Sequence, residues 1–209
     1  MKTRTIALNA IMTVLVVIFS FIPVHIGPIK LAVLLLLPVI IVSQIEGIGT
    51  AIYIGFVTGL MSCILAIARP VSPVAIIFRN PMISIFPRIM IGVLVFSVSK
   101  LIDKIILQLK VGSKMVRFLE KYAQSFIVSA VGVVTNTGFV LLMIWTFYAN
   151  KTVSDVIIGK EFMMGLISIN FFIEILLVSI ITPPIVYAIR RYLHFNKENK
   201  IGGEHVISD

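Results

Sequence analysis

Two charged side chains stand inside apolar runs of this sequence, Arg88 and Glu174. A charge near the middle of a membrane-spanning helix costs on the order of 2.5–3.5 kcal/mol on insertion scales. Such residues face a partner or a cavity, and by default they mark function. Asn170 precedes Glu174 by four positions, a spacing that places both on one helix face. Asn136, between Thr135 and Thr137, adds hydrogen-bonding capacity in a third apolar run. The planar fork of an arginine suits a carboxylate or phosphate, which it can bind through two parallel hydrogen bonds. Glu174 would then accept from a hydroxyl or amide, or steady Arg88. The chemistry on offer is recognition of a small polar solute. The plainer alternative is an Arg88–Glu174 structural ion pair with the asparagines bonding between helices, and Asn136 alone serves equally well as such glue.

Other chemistries are excluded. Gly159-Lys160-Glu161 lacks both the hydroxyl and the earlier glycine of a phosphate-binding loop, so the chain cannot energise transport with a P-loop ATPase of its own. There is no HExxH, no paired histidine and no nucleophile elbow, hence no sign of an enzyme. The single Cys63 rules out a disulfide framework and a cysteine metal site and reads as a small apolar filler. No cofactor is called for.

The elements that must position these groups follow from composition. Hydrophobic residues make up 59% of the 209 and charged residues 13%, with a mean hydropathy of +1.10. A soluble domain carries roughly 25% charged residues, so too few are present to cover a water-facing surface. Apolar runs near 20 residues recur, each long enough to cross a hydrocarbon core of about 30 Å as a helix. The expected architecture is an all-α membrane protein of six transmembrane helices. Helix one runs over Ile6 to Ile22, closed by Pro23 and the Gly27-Pro28 turn. Lys2 and Arg4 ahead of it resemble a signal peptide, but no small-residue cleavage site follows, so it is kept as a helix. Helix two, Leu31 to Gln44, is short and contains Pro38, which leaves open whether it spans fully. Helix three covers Thr50 to Ala68 and is followed by a Pro-rich loop and the apolar piece Val74 to Phe78. Helix four covers Met82 to Leu107, and Lys110 to Lys121 forms a basic loop. Helix five covers Tyr122 to Tyr148, and a polar loop follows to Glu161. Helix six runs over Phe162 to Tyr192, with a bend at Thr182-Pro183-Pro184. Residues 1–195 form one transmembrane substrate-binding domain, and 196–209 a polar tail expected to be disordered.

Six spans put both ends on one side. Assigning that side to the cytoplasm places twelve of the eighteen basic residues inside: Lys2, Arg4, Lys100, Lys104, Lys110, Lys114, Arg117, Lys121, Arg190, Arg191, Lys197 and Lys200. The positive-inside rule favours that orientation, and the net charge of +9 reads as contact with anionic lipid or a cytoplasmic partner, not with nucleic acid. At ~1.5 Å rise per residue, Arg88 then lies ~9 Å below the outer end of its helix, Asn170 ~12 Å, and Glu174 and Asn136 ~18 Å. Three helices thus bring polar groups to similar depths in the outer half, as a pocket open to the outside requires.

Smaller signals concern packing. Gly55 and Gly59 in helix three form a GxxxG seam, commonly a site of close helix approach. Thr3, Ala7 and Ala10 give helix one a small-residue stripe that would dock another subunit or pack within the chain. Trp145 and Tyr148 read as interfacial anchors, and His25 as a residue lining the loop between helices one and two.

Three segments carry a resemblance. Arg79-Asn80-Pro81-Met82-Ile83-Ser84-Ile85-Phe86-Pro87-Arg88 with Ile89-Met90-Ile91-Gly92, then Gly132-Val133-Val134-Thr135-Asn136-Thr137, then Asn170-Phe171-Phe172-Ile173-Glu174 with Pro183-Pro184-Ile185-Val186, resemble substrate-binding S components of energy-coupling factor (ECF) vitamin transporters. The likeness covers about residues 3 to 192 and looks most like the pantothenate-type branch. It implies a six-helix S-component fold with a vitamin held near the outer face, under the loops joining helices one–two and three–four. It implies a partner ECF module of a membrane coupling subunit and two ATPases, and a loaded subunit that tilts in the bilayer to release its vitamin. The implied contacts are Arg88 for a carboxylate and Asn136, Asn170 and Glu174 for amide and hydroxyls, with Asn80, Thr137 and His25 nearby. An alternative vitamin, a pyridine or pyrimidine, would rely on Glu174 and leave Arg88 structural. Helix one in this family often carries an AxxxA seam for the coupling subunit; here Ala7 is followed by Ile11 and Ala10 by Val14, so Thr3 and Ala7 would substitute. From a different class, an envelope scaffold or an ion-driven secondary carrier with Glu174 as proton carrier also fits the residues, although no convincing internal repeat supports the carrier.

Overall fold

The computed structural model describes residues 3–22, 24–26, 29–31, 33–69, 73–108, 114–153 and 156–204. Helix α1 is Thr3–Phe21, followed by the strands β1 (Val24–Ile26) and β2 (Ile29–Leu31) and helix α2 (Val33–Ile45). Helix α3 is Ile48–Ala68, and two short helices follow, α4 (Pro73–Ile77) and α5 (Pro81–Ser84). Then come α6 (Phe86–Gln108), α7 (Lys114–Tyr148), the strands β3 (Thr152–Val153) and β4 (Val156–Ile157), and α8 (Lys160–Glu204). Each strand pair is an antiparallel hairpin, with His25 opposite Lys30 in the first.

Four segments are long and apolar enough to cross a bilayer: Ile48–Ala68, Pro81–Ile106, Glu120–Tyr148 and Phe171–Leu193. Two shorter apolar helices accompany them, Thr5–Phe21 and Val33–Ile45. This is an all-α, multi-pass membrane architecture. The shortness of α2 has a physical correlate in its position. At ~1.5 Å per residue its 13 residues reach only ~20 Å, and it is apolar all round, the mark of a helix enclosed by others. Leu36, Val39, Ile40 and Val42 are fully buried, and α2 packs against α1, α3, α6, α7 and α8. The main core centres on it, joined by Val16, Ile54, Ile91, Val95, Val128, Val133 and Val178.

Several boundaries differ from the sequence reading. Leu31 belongs to β2, and α2 begins at Val33. The basic stretch before Tyr122 is helical from Lys114 onward; it holds neither Gly nor Pro beyond Gly112, so polarity ends the apolar span without ending the helix. Helix α8 likewise continues to Glu204, so residues 196–204 extend it where the polar composition predicts disorder. His205 lies outside the described residues. The expected fourth helix is divided at Ile85, with Pro81–Ser84 as a separate turn.

The α3–α6 contact sets the frame for the polar residues. A Cβ on Gly55 would come within 2.5 Å of the Arg88 carbonyl oxygen, and one on Gly59 within 2.5 Å of Ile85 Cα. The GxxxG sequence is therefore the seam that lets α3 lie directly on the backbone at the start of α6.

Candidate functional site

Arg88 owes its surroundings to the residue before it. Pro87 has no N–H to give to the carbonyl four residues back, that of Ile83. A buried carbonyl left without a donor costs about 1–3 kcal/mol, and here Arg88 Nη1 donates to Ile83 O at 3.1 Å. The guanidinium also lies over the Phe78 ring, 5.3 Å from its centroid, a cation–π distance. Glu174 is within electrostatic reach on α8. Both charged side chains are buried, at 6% and 7% exposure.

Phe78 is held there by a small network at the α4–α5 joint. Arg79 Nε donates to the Ala66 carbonyl at 3.2 Å, near the C-terminal end of α3, where carbonyls lack helical partners. Cys63 Sγ donates to the Arg79 carbonyl at 3.5 Å. Asn80 Oδ1 accepts from Met82 N at 3.0 Å and caps α5, with Pro81 in its first turn. Ser84 Oγ donates to the Phe78 carbonyl. The strap from Phe78 to Ser84 thus ties α3 to α6 and lays an aromatic face on Arg88.

Asn136 reaches the same level from α7. Phe86 and Phe139 pack edge to face with centroids 5.6 Å apart, which registers the start of α6 against α7. Arg88 is two residues inward of Phe86 and Asn136 three residues inward of Phe139, ~3 and ~4.5 Å along their helices. Asn136 is 6% exposed, and its Oδ1 has no hydrogen-bond partner among the described residues. Its neighbour Thr135 is buried, and Thr137 is half-buried.

The expected residues therefore divide. Arg88 and Glu174 lie within electrostatic reach of each other, and Asn136 stands at Arg88's depth. Asn80 caps α5 through its Oδ1. Ala7 and Ala10 are exposed on α1, beside exposed Ile6, Ile11 and Val14. The side chains of Thr3, His25 and Asn170 lie outside the described residues. Arg88, Asn136 and Glu174 are closed off from solvent in this conformation, whereas the sequence reading expected a hollow open to the outside. A cavity of about 240 Å³ lies elsewhere, between α7 and α8 at the basic end of the bundle, lined by residues that include Lys121 and Arg190. From Asn136 to Lys121 is fifteen residues of α7, ~22 Å.

Three side chains escaped the sequence reading. Phe78 was legible only as the end of an apolar piece, since its partner lies ten residues on and across a helix break. At the basic end, Arg190 Nη2 donates to the Gln44 carbonyl at 2.7 Å, placing a cation on the C-terminal carbonyls of α2. Gln124 Nε2 bridges the Ser99 carbonyl at 3.1 Å and Asp103 Oδ1 at 2.9 Å, tying α7 to α6. Those two contacts join helices at opposite ends of long sequence separations, which no local pattern announces.

Apolar helices enclosing a buried arginine and a buried glutamate define a multi-pass membrane protein. The sequence profile of the family described as ECF transporter, substrate-specific component, matches residues 4–186, and the chain belongs to that family. No curated protein matches it. The family supplies the substrate-binding parts of transporters and is not a family of enzymes; its members work with a separate ECF module.

Proposed function

We propose that this chain is a six-span S component that binds a small carboxylate-bearing vitamin, with pantothenate as the best single candidate, for ATP-driven import with an ECF module. That module would comprise a membrane coupling subunit and two ATPases. The distribution of Lys and Arg favours both termini in the cytoplasm, an orientation in which the Arg88 cluster would belong to the outer half. The observation that carries the reading is Asn136. A buried acceptor without a donor is costly, and a ligand amide or hydroxyl would satisfy it while the ligand's carboxylate meets Arg88. Entry would require the strap of α4–α5 or the β1–β2 hairpin to move, because the cluster is shut in this conformation. Ala7 and Ala10, exposed on α1, would offer the coupling subunit its small-residue seam.

A second reading has support of its own. Arg88 already serves Ile83 and Phe78 and lies near Glu174, which is what a structural arginine does. The ligand would then be a pyridine- or pyrimidine-type vitamin with Glu174 as the main polar contact. Binding of a vitamin panel to the purified protein separates the two. Pantothenate binding weakened by Arg88→Lys, which keeps the charge and loses the fork, supports the first; binding of a cationic or neutral vitamin that is lost in Glu174→Gln supports the second.

A further inference from the structure

The cavity at the basic end takes no part in the vitamin reading, and its lining has a definite chemistry. Lys121 and Ser125 come from α7; Val186, Tyr187, Arg190 and Arg191 come from α8. Three cations therefore line the groove, of which Arg190 is held by the Gln44 carbonyl and lies close enough to Asp103 to have part of its charge offset. Ser125 is 2% exposed, and its Oγ has no hydrogen-bond partner among the described residues. It is a buried hydroxyl in the lining of the groove and a donor in want of an acceptor.

We infer that this groove seats the phosphate headgroup of an anionic phospholipid, with Ser125 donating to a phosphate oxygen and Lys121 and Arg191 supplying the charge. Location favours a lipid over a soluble anion. The groove sits where the apolar span Phe171–Leu193 reaches its basic end, and Val186 and Pro183 give it an apolar floor. Tyr187, at the rim, is the residue type that settles at headgroup level. At about 240 Å³ the space is smaller than the roughly 300–1,000 Å³ that encloses a whole small molecule, and it suits a headgroup whose chains stay outside. Basic pockets between transmembrane helices on the cytoplasmic side bind anionic headgroups in this manner; here that side is assigned by the proposed orientation.

Native mass spectrometry of the full chain in detergent, with added dioleoylphosphatidylglycerol or dioleoylphosphatidylcholine, tests the site. The expected result is one retained phosphatidylglycerol in preference to phosphatidylcholine. Retention should fall about fivefold for each cation removed in Lys121→Gln and Arg191→Gln, and fall in Ser125→Ala. The charge-matched control Lys100→Gln/Lys104→Gln, which alters exposed cations on α6, should retain the lipid. Equal retention of both lipids, equal loss in the control, or displacement by inorganic phosphate would overturn the inference. So would retention that is unchanged in Lys121→Gln/Arg191→Gln while assembly with an ECF module is abolished, which would assign the groove to a protein partner.

Discussion

The Arg88 guanidinium donates 3.1 Å to the carbonyl of Ile83, the helical acceptor that Pro87 cannot serve. Proline and arginine are adjacent in sequence, and one repairs the defect that the other makes. This has a consequence for stability. Arg88→Ala should destabilise the protein by about 3–5 kcal/mol, the scale for removing one partner of a buried charge pair. In a Pro87→Ala background the backbone N–H is restored, so the same change should cost about 1 kcal/mol less. Thermal unfolding in detergent, arranged as a double-mutant cycle, measures that coupling; strict additivity would show that the bond carries no weight.

Gly55 and Gly59 admit α3 to the backbone of α5 and α6 at 2.5 Å from where a Cβ would stand. Gly55→Ala should cost about 1–3 kcal/mol through forced separation and should weaken ligand binding as well, since the clash falls on Arg88 itself. The same substitution at Gly138, where a Cβ meets nothing within 4 Å, should leave binding untouched. Unfolding and titration of the two variants side by side decide it.

Asn136 separates ligand recognition from helix glue. If its bare Oδ1 awaits a ligand, Asn136→Leu should leave the ligand-free protein as stable or more stable by about 1 kcal/mol, because an orphaned acceptor disappears. Affinity should fall about tenfold over the same substitution. Loss of stability without loss of affinity would make Asn136 a structural residue.

Asn80 is placed as a helix cap, so its effects should follow cap chemistry. Asn80→Ala should lower stability by about 0.5–2 kcal/mol, and Asn80→Ser should recover most of it. Affinity measured well below the unfolding temperature should change little in either variant. A drop in affinity that Asn80→Ser fails to rescue would return Asn80 to the binding site.

What the sequence made legible was whatever one span can announce by itself. The apolar runs of α3, α6, α7 and α8 exceed the bilayer thickness, Gly55 and Gly59 stand at the spacing of a helix seam, and the cost of Arg88 and Glu174 in lipid marks both as residues to be enclosed. Features that depend on a second element were hidden. Asn80-Pro81 carries the same letters whether or not it caps a helix; only the Met82 amide at 3.0 Å shows the cap. Phe78 meets Arg88 because a strap folds back between them. The basic run before Tyr122 looked like a loop because its polarity marks the edge of the membrane, a boundary the helix has no reason to respect. The shut state of the Arg88 cluster was also illegible, because depth along a helix says nothing of what covers the end.

Calorimetric titration of the purified protein with pantothenate shows whether Arg88 reads the carboxylate of a vitamin. Saturable binding is expected, weakened about tenfold or more in Arg88→Lys by the loss of one of two charge-assisted hydrogen bonds. Equal affinity in wild type and Arg88→Lys, or no pantothenate binding alongside tight binding of a vitamin that lacks a carboxylate, would contradict it.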